Sequence, residues 1–269
     1  MTDLTVAHPR TTAIAVELRE LGVTYGGATG REVLRAVDVT VGVGEFVGIV
    51  GHSGVGKSTL IRCIAGLQHP TTGTIVVAGT AVTEPPATMA LVSQDYGRTL
   101  MPWLRVSDNV RLPLRGRHIA RAEQNTRVHK ALDAVGLGSV ARSYPWQLSG
   151  GMQQRVAIAR ALAYQPKVLL MDEPFASVDA QTRAELEDLV LALQRELGIT
   201  IMVVTHDVDE SVYLSDRVIV LGGQPAGVRT VIPVGLGRVR DQLETKSAPE
   251  FVECRAAVLS AIRSSRAPA

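Results

Sequence analysis

The sequence contains few of the residue types that define several common protein classes. It has two cysteines, Cys63 and Cys254, and no C-x-x-C pair, so neither a disulfide framework nor a thiolate metal site is expected. Aromatic residues make up only 4% of the chain, which argues against a stacking platform for single-stranded nucleic acid. No apolar run approaches the roughly 20 residues that a membrane-spanning helix requires. We therefore expect a protein held together by an ordinary apolar core.

The sequence also lacks a marked excess of positive or negative charge. The 28 lysines and arginines oppose 26 aspartates and glutamates, and the formal net charge is +2, which gives no general argument for a nucleic-acid partner. Residues 1–13 have no apolar segment of the secretory type, and the low cysteine content suits a reducing compartment. Because 46% of the 269 residues are hydrophobic, we expect a soluble, cytoplasmic protein with one large α/β domain or two small ones.

A glycine-rich segment at residues 51–59 carries the most specific pattern in the chain. It follows an apolar run that predicts a strand, precedes a run that predicts a helix, and matches G-x-x-x-x-G-K-[ST]. Glycines let the backbone curve around a polyphosphate, and the positive end of a helix attracts that anion. Lys57 can reach the terminal phosphates and the Ser58 hydroxyl can ligate Mg²⁺, whereas an ordinary glycine-rich turn needs neither residue. We assign phosphate binding to Gly51, His52, Ser53, Gly54, Val55, Gly56, Lys57, Ser58 and Thr59.

Two polar residues at the ends of predicted strands are further site candidates. Residues 13–43 favour β-structure, and Tyr25 ends one of these strands before a glycine-rich loop. A strand predicted at 89–93 is followed by Gln94. Ligands gather at the carboxyl ends of strands in an α/β sheet, although Gln94 alone is also compatible with a solvated strand end.

From residue 96 onward the strand-like runs give way to helical spacing. Ser107 is the predicted N-cap of one of these helices. The apolar segment 100–103 is either a partner contact or a tucked hairpin, and its periodicity does not decide between them.

A second glycine-bearing helix start lies at residues 148–155. Ser149 is placed as the N-cap, and Gly150 and Gly151 permit close approach of an anion. The chain would then contain two helix N-termini able to receive phosphate. The alternative for this second one is a capped helix start and nothing more.

Two adjacent carboxylates end an apolar run at residues 168–171. We interpret Asp172 as directed toward the Mg²⁺ shell and Glu173 as the general base for a water molecule. Asp179 is the predicted cap of the next helix. A later apolar run ends near His206; a lone histidine is more often structural, but here it follows a third strand of the same class.

The last part of the chain is predicted to hold one more strand and one helix. Residues 217–221 form the last clear strand, and residues 222–237 are rich in turns. Residues 247–250 have the form of a capping box, before a helix with Phe251 on its apolar face.

The order and spacing of these motifs resemble those of ATP-binding subunits of ABC transporters over residues 13–263. Residues 51–59 look like the Walker A loop, 148–154 like the family signature and 168–173 like Walker B. Tyr25 falls where the family has its adenine-stacking aromatic residue, Gln94 in the Q-loop, residues 177–179 in the D-loop and His206 at the switch histidine.

The resemblance implies an α/β fold, with a P-loop NTPase core, an N-terminal antiparallel β subdomain and a mostly helical insert. The implied organisation is a flexible N-terminus at 1–12, an ATPase domain at 13–246 with the insert at about 96–155, and a C-terminal helix and tail at 247–269.

The resemblance also implies ATP hydrolysis at a site shared by two copies of the chain. Each ATP would lie between the Walker A loop of one copy and the signature helix of the other, so Ser149, Gly150 and Gly151 would face the partner's γ-phosphate. Gln154 and Asp179 are further expected ATP contacts. Implied Mg²⁺ ligands are Ser58, Gln94 and, through water, Asp172. Implied catalytic residues are Glu173, His206, Gln94 and Lys57.

Residues 94–95, 100–104 and Val110 resemble the nitrate/sulfonate/taurine type of ABC importer. The implied partners are a second copy of the chain, membrane permease subunits at the cytoplasmic face of the cell membrane and, indirectly, a periplasmic or lipid-anchored solute-binding protein; no nucleic acid is expected. Two departures stand out: Val178 replaces a common leucine, and Val92-Ser93 replaces a common Phe-Gln.

Two rival functions remain within the resemblance. A soluble ABC ATPase of DNA repair or translation would carry coiled-coil insertions, zinc modules or two fused cassettes, and this sequence has none. A non-hydrolysing regulatory cassette is disfavoured by the presence of Glu173 and His206.

Overall fold

The computed structural model describes residues 13–26 and 30–265, so the predicted flexible N-terminus and the centre of the loop after Tyr25 lie outside the described residues. The strands are β1 Ile14–Tyr25, β2 Arg31–Gly42, β3 Phe46–Val50, β4 Thr72–Val77, β5 Thr80–Ala81, β6 Met89–Val92, β7 Val168–Asp172, β8 Thr200–Val204, β9 Arg217–Gly222 and β10 Gly227–Pro233. The helices are α1 Lys57–Ile64, α2 Tyr96–Thr99, α3 Val106–Arg111, α4 Arg121–Ala134, α5 Gly150–Ala163, α6 Ala180–Leu197, α7 Val208–Leu214, α8 Glu244–Ser247 and α9 Pro249–Ser264.

Two sheets form the framework of the fold. An antiparallel sheet has the order β2-β1-β4-β5, which confirms the predicted antiparallel subdomain. The second sheet has the order β10-β9-β3-β8-β7-β6, and its strands are parallel except for β10. The central strands β3 and β8 are buried along their whole length, as their continuously apolar sequences predict.

Parallel strands place their carboxyl ends at one edge of the sheet, and this edge carries the site. The phosphate loop follows β3, Gln94 follows β6, Glu173 follows β7 and His206 follows β8. The order β3-β8-β7-β6 makes these strands consecutive neighbours, so residues far apart in sequence meet in space.

The segment between β6 and β7 is helical, as predicted. Helices α3, α4 and α5 pack through buried apolar side chains that include Val106, Val110, Val128, Leu132 and Val156. The predicted N-cap at Ser107 is wrong, because the helix begins at Val106 with Arg105 in the extended cap position and no side-chain cap. The first N–H groups of α3 donate instead to backbone carbonyls, Val106 N to Ser143 O at 2.8 Å and Ser107 N to Ala141 O at 2.9 Å, and the buried Asn109 side chain binds the backbone of the preceding turn.

Two predictions for the end of the chain are also wrong. Residues 217–221 are not the last strand, because β10 pairs antiparallel with β9 inside the segment predicted to be rich in turns. The capping box at 247–250 is absent, because Ser247 ends α8 and bonds back to Glu244 while Ala248 precedes α9. Phe251 is nevertheless fully buried, as its position on the apolar face predicts. No helix in the described part of the chain is long and apolar enough to span a membrane.

Candidate active site

The phosphate loop is built on glycine backbone geometry between β3 and α1. Gly56 has a φ of 112°, in the region that side chains rarely adopt, and an added Cβ there would lie 2.9 Å from Leu34 Cδ2. The Gly56 carbonyl accepts a hydrogen bond of 2.9 Å from Leu60 N, which starts the hydrogen bonding of α1. Helix α1 therefore begins at Lys57, earlier than the apolar run at 60–65 suggested, and its first turn borders the loop.

Lys57 bridges the beginning of this loop. Its Nζ donates to Gly51 O at 2.8 Å and to His52 O at 3.3 Å, and the side chain is buried. Burial lowers the pKa of the Lys57 ammonium, while the carboxylates of Glu173 and Asp172 partly oppose this shift. The ammonium is thus close enough to the acidic end of the site to interact with both carboxylates.

Tyr25 and Thr59 are joined beside the loop. The Tyr25 hydroxyl donates to Gln68 Oε1 at 2.8 Å and lies 3.2 Å from Thr59 Oγ1, while the residue remains 45% exposed. Thr59 and Gln68 therefore fix the orientation of an exposed aromatic ring next to the first turn of α1. Gln68 was not predicted as a site residue, because nothing in its sequence context indicates the contact.

The other residues of the loop contribute mainly backbone. Val55 is buried among apolar side chains, and His52 Nδ1 lies 2.9 Å from Ser53 O. Gly54 and Ser58 are exposed, so the Ser58 hydroxyl is accessible to a ligand.

The side chains that follow β6 and β8 meet the Glu173 carboxylate at the end of β7. Gln94 Nε2 donates to Glu173 Oε2 at 3.0 Å, and His206 Nδ1 lies 3.1 Å from the same oxygen. Glu173 has a φ of 44°, a strained value for a glutamate, and its backbone N–H is held by Val204 O at 2.8 Å. The structure thus brings Gln94, Glu173 and His206 together, as the positions of the three strand ends predict.

Asp172 supplies a second carboxylate in a partly buried position. Burial raises the pKa of the Asp172 carboxyl, the neighbouring Glu173 raises it further, and Arg62 and Lys57 oppose both effects. A cation would relieve this unfavourable pairing of carboxylates. The exposed Ser58 hydroxyl, the Gln94 amide oxygen and Asp172 offer the hard oxygen donors that Mg²⁺ prefers, so the residues present fit this ion.

The predicted second helix start is confirmed as a capped N-terminus. Ser149 Oγ accepts from Met152 N at 3.3 Å. An added Cβ at Gly151 would lie 2.3 Å from Thr182 Cγ2, so Gly151 allows α5 to pack closely against α6. Within the described residues, no hydrogen bond joins Ser149, Gly150 or Gly151 to the phosphate loop.

Two residues predicted to contact ATP have different surroundings in the single chain. Asp179 caps α6, since its carboxylate accepts from Thr182 N at 3.0 Å and from Thr182 Oγ1 at 2.7 Å. Gln154 is fully buried, and neither polar atom of its side chain has a hydrogen-bond partner. The packing of α5 encloses the Gln154 side chain in the single chain, and its contact with ATP stays a prediction.

A small cavity of about 10 Å³ adjoins Glu173 and His206. Its other lining residues include Arg183, Asp207 and Glu210. Burial raises the pKa of the Glu210 carboxyl to about 8, with Glu187 and Asp207 adding to the rise and Thr205 and Arg183 opposing it. The sequence analysis missed this acidic group, for which the only signal is an acidic residue four positions after His206.

Comparisons with known proteins agree with this geometry. A family profile described as ABC transporter matches residues 34–176, more than half of the chain. The nitrate import ATP-binding protein NrtC of Synechococcus elongatus is 42% identical over 87% of this chain, which spans only 36% of NrtC. The aliphatic sulfonates import ATP-binding protein SsuB 1 of Xanthomonas axonopodis pv. citri is 44% identical, over 87% of this chain and 92% of SsuB 1.

A solved structure has the same fold. The dimeric structure of the ATP-binding cassette MJ0796, in a post-hydrolysis state bound to ADP and Pi, has a TM-score of 0.70 and 33% identity to this chain. The match covers 82% of this chain and all of MJ0796. From the profile, the relatives and the shared fold, we conclude that the chain belongs to the ABC transporter family and is an ATP-binding cassette.

Proposed function

We propose that the chain hydrolyses ATP to power the import of a small solute through a separate membrane permease. The observation that carries the proposal is the meeting of Gln94 and His206 on the Glu173 carboxylate, at 3.0 and 3.1 Å, beside the phosphate loop of Lys57. The names of the relatives support nitrate or a sulfonate as the solute, and the resemblance of residues 94–95 and 100–104 adds taurine or a similar compound to the proposal.

The site residues have separate tasks in this proposal. Tyr25 stacks on adenine, and the backbone N–H groups of residues 51–59 hold the phosphates. Lys57 exchanges its carbonyl partners for β- and γ-phosphate oxygens and neutralises their charge. Ser58, Gln94 and, through water, Asp172 would hold Mg²⁺, which supplies charge neutralisation when bound.

Glu173 is the general base in this proposal. Its carboxylate orients a water molecule and takes the proton as the water oxygen bonds to the γ-phosphorus, while the bond from that phosphorus to the β–γ bridging oxygen breaks and ADP leaves. Gln94 and His206 hold the carboxylate in place and compete with the water for the same oxygen. His206 is 64% exposed at its side chain, so it can also contact the γ-phosphate and respond to its release.

The active unit in this proposal is a pair of chains with two composite sites. Ser149, Gly150 and Gly151 of one copy face the γ-phosphate bound by the other, which gives both helix N-termini a phosphate and makes the sites equivalent. The absence of hydrogen bonds between this helix start and the chain's own phosphate loop supports the arrangement, within the described residues. So does the dimeric form of MJ0796.

The helical insert is the proposed contact with the permease at the cytoplasmic face of the membrane. It begins directly after Gln94 and presents Trp103, which is 71% exposed. Leu100 is buried and Met101 partly buried, so the apolar segment is anchored at one end and accessible at the other.

Co-expression with the permease tests this contact. The double change Met101→Ala and Trp103→Ala should reduce co-purification about tenfold or more and leave the ATPase activity of the free chain unchanged, because truncating a central aromatic anchor removes most of the affinity. Trp146→Ala is the matched control, since Trp146 is 69% exposed but lies outside the segment. Lost ATPase activity with intact co-purification would contradict the assignment.

A further inference from the structure

Helix α7 connects His206 to the rest of the molecule. It begins at Val208, directly after His206 and Asp207, and ends at Leu214. Asp207 caps it, with Oδ1 accepting from Glu210 N at 3.2 Å, and Asp207 Oδ2 binds Arg183 Nη1 of α6 at 3.0 Å. Seven helical residues span only about 10 Å and form a marginal helix alone. His206 is fixed on its N-terminal side by β8, which ends at Val204, so its position depends further on what holds α7 on its C-terminal side.

The other end of α7 is held by an arginine from the C-terminal part of the chain. Arg240 Nη1 donates to Tyr213 O and, at 3.4 Å, to Val212 O, and Arg240 Nη2 donates to Ser215 O at 3.0 Å. These carbonyls belong to the last turn of α7 and the residue after it. A guanidinium satisfies the orphan carbonyls of a helix end and interacts favourably with the negative end of its dipole.

The same segment also binds α6. Gln242 Nε2 lies 3.1 Å from Glu187 Oε2 and 3.0 Å from Asp188 Oδ1. Lys246 Nζ binds Glu187 Oε2 at 3.0 Å and lies 4.6 Å from the centre of the Tyr213 ring. Residues 240–246, here called the clasp, thus bridge the two helices that flank His206.

We propose that Arg240 is a positioning residue for His206. The clasp fixes the C-terminal end of α7 against α6, the Asp207–Arg183 pair fixes the other end, and together they hold His206 Nδ1 at Glu173 Oε2. Without Arg240, the last turn of α7 loses its hydrogen bonds to the guanidinium and the helix tilts, which turns the backbone at Asp207 and takes the His206 ring away from the carboxylate. The inference rests on the proposed ATPase function.

Arg240→Gln is the test, with Arg238→Gln as matched control. Arg238 lies two positions earlier and is exposed, so its replacement removes the same charge from the same segment without touching α7. Because a misplacement of about 1 Å in an active site costs up to about 100-fold in rate, we expect Arg240→Gln to lower kcat about tenfold. KM for ATP should stay within about twofold, since the hydrogen bonds of Arg240 go to the end of α7 and not to residues 51–59.

A spectroscopic readout separates positioning from general destabilisation. The chain has six histidines. In the NMR spectrum of a histidine-labelled sample, the imidazole signal of His206 is the one that disappears in His206→Ala. This signal should shift in Arg240→Gln and remain in place in Arg238→Gln. An unmoved His206 signal in a folded Arg240→Gln protein would overturn the inference.

A double-mutant cycle gives a second, independent result. In single-turnover reactions with enzyme in excess, Arg240→Gln should cause no further loss in a His206→Ala background, because Arg240 acts through that side chain. If the rate losses of the two single variants multiply in the double variant, Arg240 does not act through His206.

If Arg240→Gln does not fold, Arg240→Lys keeps the charge with fewer hydrogen-bond donors and should lower kcat about threefold. An unchanged kcat in Arg240→Lys also contradicts positioning. Inactive wild-type and Arg238→Gln proteins would instead refute the proposed ATPase function.

Discussion

Glu210 makes the folding stability of this chain depend on pH in a direction opposite to that of most carboxylates. The residue is 3% exposed, its Oε1 has no hydrogen-bond partner, and the nearest charged groups are Glu187, Asp207 and Arg183. Burial raises its pKa from the ordinary value of 4.5 to about 8. A carboxyl with a raised pKa favours the folded state when protonated, so this contribution is complete below about pH 4.5 and is lost progressively as the pH rises to about 8.

The size of this effect follows from the shift in pKa. A shift from 4.5 to about 8 corresponds to about 5 kcal/mol at 1.36 kcal/mol per unit. Because relaxation around buried charges in proteins lowers such penalties, we expect about 2–5 kcal/mol. Glu210→Gln removes the titration and keeps the shape. We therefore expect this variant to match the wild type near pH 4.5 and to be about 2–5 kcal/mol more stable at pH 8.5.

Urea unfolding at half-unit steps between pH 4.5 and 9 measures the difference. The free energy of unfolding of the variant minus that of the wild type should rise through this range and level off above about pH 8. Glu253→Gln, which removes an exposed carboxylate from α9, is the control and should follow the wild type. A difference between Glu210→Gln and the wild type that does not change with pH would refute the reasoning.

Three further predictions concern residues of the proposed ATP site. Glu173→Gln should lower kcat by about 10²–10⁴ by removing the general base, and ATP and Mg²⁺ should shift the variant to a dimer in size exclusion; a monomer alone would contradict the shared site. Lys57→Ala should weaken ATP binding about 10–100-fold, because a charged hydrogen bond is worth about 1.5–3 kcal/mol, and unchanged calorimetric affinity would remove Lys57 from phosphate binding. Gly56→Ala should lower the unfolding free energy by about 2 kcal/mol, because its φ of 112° is strained for alanine and Leu34 must move; a stable variant with normal ATP affinity would show that the loop tolerates a side chain.

The sequence was sufficient to predict the site at the sheet edge because each residue follows an apolar strand. Gln94, Glu173 and His206 each lie just beyond a run of apolar residues, and parallel strands bring such positions together. Strand β10 could not be predicted in this way. Its burial alternates only weakly, and it exists because β9 offers it hydrogen bonds, which is a tertiary effect.

The hydrogen-bond partners of the site residues could not be predicted from the sequence either. Gln68 binds Tyr25 across 43 positions and Arg240 binds the end of α7 from 25 or more positions away. No periodicity or motif connects such pairs. Gln154 shows the reverse case, since the motif predicts a contact with ATP while the packing of α5 buries the side chain, and neither fact alone decides the contact.

The hydrogen bond from Gln94 to Glu173 limits how far the helical insert can move without consequence. The bond is 3.0 Å long, and hydrogen bonding of this kind is effectively lost beyond about 3.5 Å. Gln94 is continuous with the insert through α2. A displacement of about half an ångström at the base of the insert therefore changes the number of donors on the Glu173 carboxylate from two to one. A partner that moves the insert by this amount would change the environment of the oxygen proposed to activate water, without any visible domain motion.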